Sequence, residues 1–175
     1  EKVNKAGAVF DRKKLEWMNF EYLKKMDTQD LVNLLKPILV DKEYDICAEY
    51  ITQVVDLFRE RVHFVHEFAE IADYMFVKPT EFEEKYAAKH WKEDTVELMK
   101  PLIEIYKNDD NFEHEHMYEI TKEYVENKEI KFKQIIHPIR LMITGKSAGA
   151  GMFETMEVLG KEECIERFES YINNL

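Results

Sequence analysis

Apolar residues recur every three or four positions along almost the whole chain, divided by short polar stretches. That is the signature of consecutive amphipathic helices. Asp11 can cap a first helix in which Leu15, Met18, Tyr22 and Met26 share one face. Asp27 or Thr28 opens a second, striped by Leu31, Leu34, Leu35, Ile38 and Leu39. A third begins near Asp45 and turns Tyr50, Ile51, Val54, Val55 and Phe58 inward. Past Arg61 the stripe is re-phased through Phe64, Val65, Phe68, Ala72, Met75 and Phe76, which predicts a break or kink between Arg59 and His63. Val77-Lys78-Pro79-Thr80 is the clearest punctuation, and Thr80 with Glu83 reads as a capping box for the next helix.

The second half repeats the style. Asp94 or Thr95 opens a helix using Leu98, Met99, Leu102, Ile103 and Tyr106, with Pro101 expected to bend it. Asn108-Asp109-Asp110-Asn111 is a polar loop, and Met117, Ile120 and Tyr124 mark the helix after it. Lys131-Phe132-Lys133 leads into an apolar helix over Ile135–Ile143, and Met152–Leu159 and Glu162–Asn174 close the chain around Gly160. No strand pattern, internal repeat or low-complexity tract interrupts this. The expected fold is all-α, in two packed helical subdomains covering residues 1–77 and 78–175.

Composition narrows the class of protein. With 175 residues, 45% of them apolar and 13% aromatic, the chain can bury a substantial core. Five glycines and four prolines argue against disorder and against a turn-rich β fold. A formal net charge of −11 makes it a poor general binder of nucleic acid or anionic membrane, so such binding would need a local basic patch. Cys47 and Cys164 both fall among apolar helical positions, which predicts buried thiols in a reducing compartment. No apolar run approaches the roughly 20 residues of a membrane span, and no signal peptide opens the chain. The expectation is a soluble intracellular protein.

Few residue patterns suggest catalysis. His114-Glu115-His116 places two histidines on different sides of a helix, with no third ligand at helical spacing, and reads as a solvated segment. His63, His66 and Glu67 lie at neighbouring helical positions but match neither order of the zinc-hydrolase motif, which leaves a metal-dependent enzyme as a remote reading. Two clusters of basic residues flank structural breaks: Arg59, Arg61, His63 and His66, and then Lys131, Lys133, His137, Arg140 and Lys146. The second runs into a loop carrying Gly145, Gly149 and Gly151, where positive φ is cheap and backbone groups can face a ligand. Such a loop can also be a plain helix connection with capping glycines. If the clusters bind RNA, lysines and arginines would hold phosphates while guanidiniums read or stack on unstacked bases.

Two stretches carry a family resemblance. Lys5-Ala6-Gly7-Ala8-Val9-Phe10-Asp11-Arg12-Lys13-Lys14-Leu15-Glu16-Trp17-Met18-Asn19, with Tyr22 and Leu23, resembles the start of the anticodon-binding region of bacterial-type glutamyl-tRNA synthetases. Pro138-Ile139-Arg140, Thr144-Gly145, Gly149, Gly151-Met152-Phe153-Glu154 and Leu159-Gly160-Lys161 resemble that family's closing motif. The two stand in the right order at opposite ends of the chain, which makes the match specific. The nucleotide-binding signatures H-I-G-H and K-M-S-K-S are absent.

The resemblance implies a C-terminal fragment of a class I aminoacyl-tRNA synthetase. The parent would be a glutamate–tRNA ligase of the cytoplasm, whose catalytic domain uses ATP and magnesium, and the fragment would be non-catalytic. The implied partner is the anticodon arm of glutamate tRNA; neither DNA nor membrane is expected, and a monomer is. Arg61 corresponds to the family arginine reading the third anticodon base, a cytosine, and Arg140 to the one contacting the first base or its neighbour. Gly149, Ala150 and Met152 match positions cradling the first two bases, although proline is frequent in the family where Ala150 stands. Arg59, Lys131, Lys133 and Lys146 are candidate contacts to the RNA backbone, whereas Trp17 and Asn19 are expected to brace the first helices. The other reading is an α-helical protein–protein interaction module without RNA affinity.

Overall fold

The structure, a computed structural model, describes residues 11–44 and 46–174. Residues 5–10 of the opening motif and the predicted helix start at Asp45 therefore lie outside the described residues. Eleven α-helices follow one another in the described chain, with no strand: α1 (Arg12–Lys25), α2 (Thr28–Asp41), α3 (Ala48–Phe58), α4 (Phe68–Ile71), α5 (Asp73–Phe76), α6 (Glu84–His90), α7 (Thr95–Asn108), α8 (His114–Asn127), α9 (Lys133–Thr144), α10 (Met152–Leu159) and α11 (Lys161–Asn173). Among the described residues no helix is long and apolar enough to cross a membrane.

Local chemistry explains several boundaries. The Asp11 carboxylate accepts the Lys14 N–H at 3.2 Å, and Asp27 accepts that of Gln29 at 2.8 Å; each satisfies a donor the helix itself cannot. At the other end of the fold, α9 stops where Gly145 turns left-handed at φ 69°. A Cβ on Gly145 would sit 2.5 Å from the Glu81 carbonyl oxygen, so only glycine fits.

The buried side chains form two clusters. One gathers Leu31, Leu35, Leu39, Ile51, Val54, Val55, Phe58, Phe68 and Tyr74, with Leu23 from α1. The other is built on Met99, Leu102, Tyr106, Met117, Ile139, Met142, Met156 and Phe168. Ala150, from the glycine loop, is buried in the first cluster, and α10 packs against α3 as well as α8, α9 and α11. The glycine loop and α10 thus run along the seam between the two clusters.

Four expectations are corrected. The shared face of α1 is not core: Leu15, Met18 and Tyr22 are exposed, and Trp17, expected to brace, is 59% exposed. Periodicity identifies an apolar face without saying what covers it. Among the described residues, α1 docks instead through its C-terminal half: the Asn19 amide donates to the His63 carbonyl, and Arg59 Nη2 donates to the Met26 carbonyl at 2.8 Å. Leu34, placed in the stripe of α2, is exposed as well, whereas the expected break after Arg59 is present: α3 ends at Phe58, and the re-phased stretch is a 3₁₀ turn at Val65–Glu67 followed by α4 and α5. Thr80 and Glu83 make no capping box, because Glu83 is spent elsewhere. Its N–H donates to the Gly145 carbonyl at 2.9 Å and its carboxylate accepts the Ser147 N–H at 3.1 Å, so residues 77–83 bridge to the glycine loop. Cys164 is buried as expected, but Cys47 lies exposed at the start of α3.

Candidate nucleic-acid interface

Lys133, His137 and Arg140 stand at i, i+4 and i+7 of α9 and so share one of its faces. The opposite face carries Ile135, Ile139, Met142 and Ile143 into the core. The basic stripe ends beneath the glycine loop. There Arg140 Nη2 donates to the Ala150 carbonyl at 3.0 Å, while Nη1 is buried without a hydrogen-bond partner. Tyr74, from α5, comes up from the first cluster to meet it, and its hydroxyl is also buried and without a partner.

Gly149 covers both groups. A Cβ there would lie 2.4 Å from the Tyr74 hydroxyl and 3.2 Å from Arg140 Nη1. Glycine is required at this position for close approach. Neither Gly149 nor Gly151 uses the positive φ open to it; among the described glycines Gly145 and Gly160 do. Lys146 completes the enclosure: its ammonium pairs with Asp73, reaches the Glu70 carbonyl at 3.3 Å and stands 5.8 Å from the Tyr74 ring centroid. The loop is therefore pinned by Arg140, Glu83 and Asp73 rather than loosely hung between two helices.

Arg61 approaches from the first cluster. Its side chain is exposed, it forms no ion pair among the described residues, and its charge is felt at Tyr74. Burial pushes the Tyr74 phenol above its ordinary range, against the pull first of the Ala150 backbone and then of Arg140, with Asp73 adding to the rise and Arg61 offsetting it least. Arg140 therefore stands against the buried tyrosine through the Gly149 strap, while Arg61 acts on it only through its charge. Hydrogen bonds from Ser147 hold the Glu83 carboxyl below its usual value, so it stays ionised and keeps its hold on the loop.

Beside Arg140, α6 contributes Tyr86 and His90. The Tyr86 hydroxyl lies 2.9 Å from His137 Nδ1, and the His90 and His137 rings are 3.9 Å apart, centroid to centroid. Both histidines are held below the ordinary value of 6.5, first by desolvation and then by surrounding cations: Arg140, Lys89 and Lys133 around His137, and His137, Lys89, Lys92 and Lys133 around His90. Because the folded state resists their protonation, this contribution is present above 6.5 and is lost as the pH falls through and below it. Thermal melts between about pH 7.5 and 5 should show falling stability, and His137→Gln should flatten the dependence. His114, raised by its bond to Glu157, works in the opposite sense, and the depressed Asp109 and Glu83 add losses only at lower pH.

The other singled-out residues are distributed as follows. Arg59 is committed to the Met26 carbonyl and, at 3.8 Å, to Asp56, so it ties α3 to the end of α1. Lys131 and Lys133 are exposed at the start of α9, about seven residues and roughly 10 Å of helix rise from Arg140 in the case of Lys133. Ala150 and Met152 are both buried, so their side chains support the loop from below. The Glu67 carboxylate accepts the N–H groups of His63 (2.6 Å) and Phe64 (3.2 Å), which occupies it structurally. His114 pairs with Glu157 at 2.7 Å and His116 with Asp109 at 2.9 Å. No group of three potential ligands that could hold a metal ion occurs among the described residues. Sequence reasoning missed Tyr74, Tyr86 and His90, each of which reads as one more member of a helical stripe; only the basic residues nearby hinted at a site.

An all-helical scaffold thus sets Arg140 and a glycine strap along the seam of two adjoining cores. The comparisons with known proteins give it a family. Residues 30–172 match the anticodon binding domain family, and the chain belongs to it. It is 40% identical to the glutamate–tRNA ligase of Flavobacterium psychrophilum over 99% of its own length and 34% of that protein's. The corresponding enzyme of Chloroherpeton thalassium is 39% identical, over all of this chain and 37% of the relative. Among solved structures, a glutamate tRNA ligase from Elizabethkingia meningosepticum, crystallised with its amino acid, superposes with a TM-score of 0.93 at 31% identity, covering 99% of this chain and 34% of that one. The chain thus spans about a third of the length of the relatives it matches.

Proposed function

We propose that this chain recognises the anticodon arm of glutamate tRNA, as the anticodon-binding part of a glutamate–tRNA ligase. On this reading the ligation itself, which joins glutamate to tRNA with ATP and magnesium, is carried by a part of the enzyme outside this chain, in the cytoplasm. The observation that supports it is the basic stripe of α9 ending in Arg140 beneath a strap of backbone at Gly149 and Ala150, on a molecule that is otherwise acidic. Arg61 reads the third anticodon base, Arg140 contacts the first base or its neighbour, and the backbone at Gly149 and Ala150 lines the path. Met152, buried, holds that backbone in place, while Lys131, Lys133 and Lys146 attract phosphates. Arg59 takes no part in RNA contact on this reading, since its guanidinium is committed within the first core.

The division of labour follows from charge. A net charge of −11 disfavours indiscriminate association with polyanions, so binding depends on the local stripe and on base contacts. Titration of the chain with glutamate tRNA, and with a tRNA of unrelated anticodon at the same salt, tests the reading. Preference for the former supports it. No affinity for either sinks it and favours a protein-interaction module.

A further inference from the structure

The two polar groups beneath Gly149 have no role in the packing around them. Tyr74 is 2% exposed, and neither its hydroxyl nor Arg140 Nη1 has a hydrogen-bond partner. The Ala150 backbone N–H lies near enough to the phenol oxygen to favour its ionised form, but no acceptor receives the hydroxyl proton. A buried donor left unsatisfied costs about 1–3 kcal/mol, so two side by side need an explanation. A phenylalanine at position 74 would keep the ring, its edge-on packing against Phe58 at 6.1 Å between centroids, and its place under the Lys146 ammonium. The hydroxyl is the one atom of this side chain that the fold does not use.

What covers these groups is thin. Ser147 and Ala148 are exposed and Gly149 is half-buried, while Ala150 and Met152 beyond them are buried and Gly145 before them is fixed against Glu81. Residues 147–149 therefore form a strap between two anchored ends, with a backbone-only residue directly above the two groups. The strap itself is tied only through Ser147, whose N–H donates to the Glu83 carboxylate, a bond that lifting would break. The cations Arg140, Lys146 and, more weakly, Arg61 outnumber the one carboxylate near Tyr74, Asp73, which is itself paired with Lys146.

We propose that the Tyr74 hydroxyl and Arg140 Nη1 form a covered hydrogen-bonding subsite for an oxygen acceptor of RNA, reached when the Ser147–Gly149 strap lifts. The inference rests on the anticodon-binding reading and adds Tyr74 to it as a residue that touches RNA. The acceptor is either a base carbonyl or a phosphodiester oxygen; both offer lone pairs to the same two donors.

Tyr74→Phe tests it, because a binding role and a structural role move two readouts in opposite ways. Removing an unsatisfied hydroxyl without changing the ring should leave the denaturation midpoint unchanged or raise it. The same change should weaken affinity for glutamate tRNA about tenfold, the loss of one charge-supported hydrogen bond. If a single anticodon-base substitution abolishes the difference between wild type and variant, the acceptor is that base's carbonyl. If the difference persists across all base substitutions, it is a phosphodiester oxygen. A lowered midpoint with unchanged affinity overturns the proposal, because the hydroxyl is then satisfied within the fold, through the Ala150 amide or otherwise. Failure of the wild type to bind the tRNA overturns the anticodon reading as well, whereas wild-type binding with no effect of the variant overturns only the subsite.

Discussion

Arg61→Ala is expected to erase discrimination at the third anticodon base while leaving the denaturation midpoint nearly unchanged. The guanidinium is exposed and carries no ion pair among the described residues, so the fold loses little when it goes. Its loss from RNA recognition should be about 1–3 kcal/mol, the discrimination typical of a bidentate arginine–base contact, or roughly five- to 150-fold in relative affinity. Arg140→Ala should behave differently. It removes the 3.0 Å bond to the Ala150 carbonyl that pins the strap, so it should lower both affinity and stability, the latter by about 1 kcal/mol. Binding titrations paired with urea denaturation of both variants separate the two roles. Equal losses of stability would place Arg61 in the scaffold and contradict its assignment as a reader.

The largest loss of stability is expected from a buried residue behind the helix that carries Arg140. Arg167 on α11 is 4% exposed, and its guanidinium donates to the Ile143 carbonyl at 2.7 Å and to Glu163 at 2.8 Å. Ile143 lies in the last turn of α9, where helix carbonyls have no partner within the helix. One buried cation therefore satisfies the end of the helix that carries Arg140 and locks α11 across it. Arg167→Ala would strand that carbonyl, open a cavity and leave Glu163 with only Lys78 at 3.8 Å. The expected cost is about 3 kcal/mol, read as a shift in the urea midpoint at constant slope. Arg167→Lys should recover little, since one ammonium does not reproduce the forked geometry.

How much of this was legible in the sequence depended on whether the determining physics was local. The stripes of α3 and α9, and that of α2 apart from the exposed Leu34, were readable because their buried residues recur at helical spacing and their partners lie within the same cores. The face of α1 was legible as apolar, but its burial was not, because that depends on what packs over it. Glu83 illustrates a different failure. Three residues after Thr80 it fits a local capping pattern, yet a contact to Ser147, distant in sequence, outcompetes the cap. Cys47 sits in an apolar neighbourhood but before the first turn of α3, where side chains still face solvent.

The site divides along the same line. Arg61, Arg140 and Gly149 stood out because basic residues and glycines cluster at structural breaks. Tyr74 did not, since nothing distinguishes it from Phe68 or Met75 until the fold brings Gly149 and Arg140 to its hydroxyl. Arg167 was hidden among the acids of α11, where an arginine four residues after Glu163 reads as an ordinary surface pair. Gly149 was noticed for conformational freedom but is needed for its missing side chain, a requirement that only the tertiary contact reveals.

Whether this helical chain reads an anticodon is decided by a single pair of affinities. Affinity for glutamate tRNA is measured beside affinity for the same tRNA with only its third anticodon base replaced, at one fixed salt concentration. A clear preference for the unaltered anticodon, lost in Arg61→Ala, is the predicted result. Equal affinity for the two tRNAs, unaffected by that substitution, would contradict it.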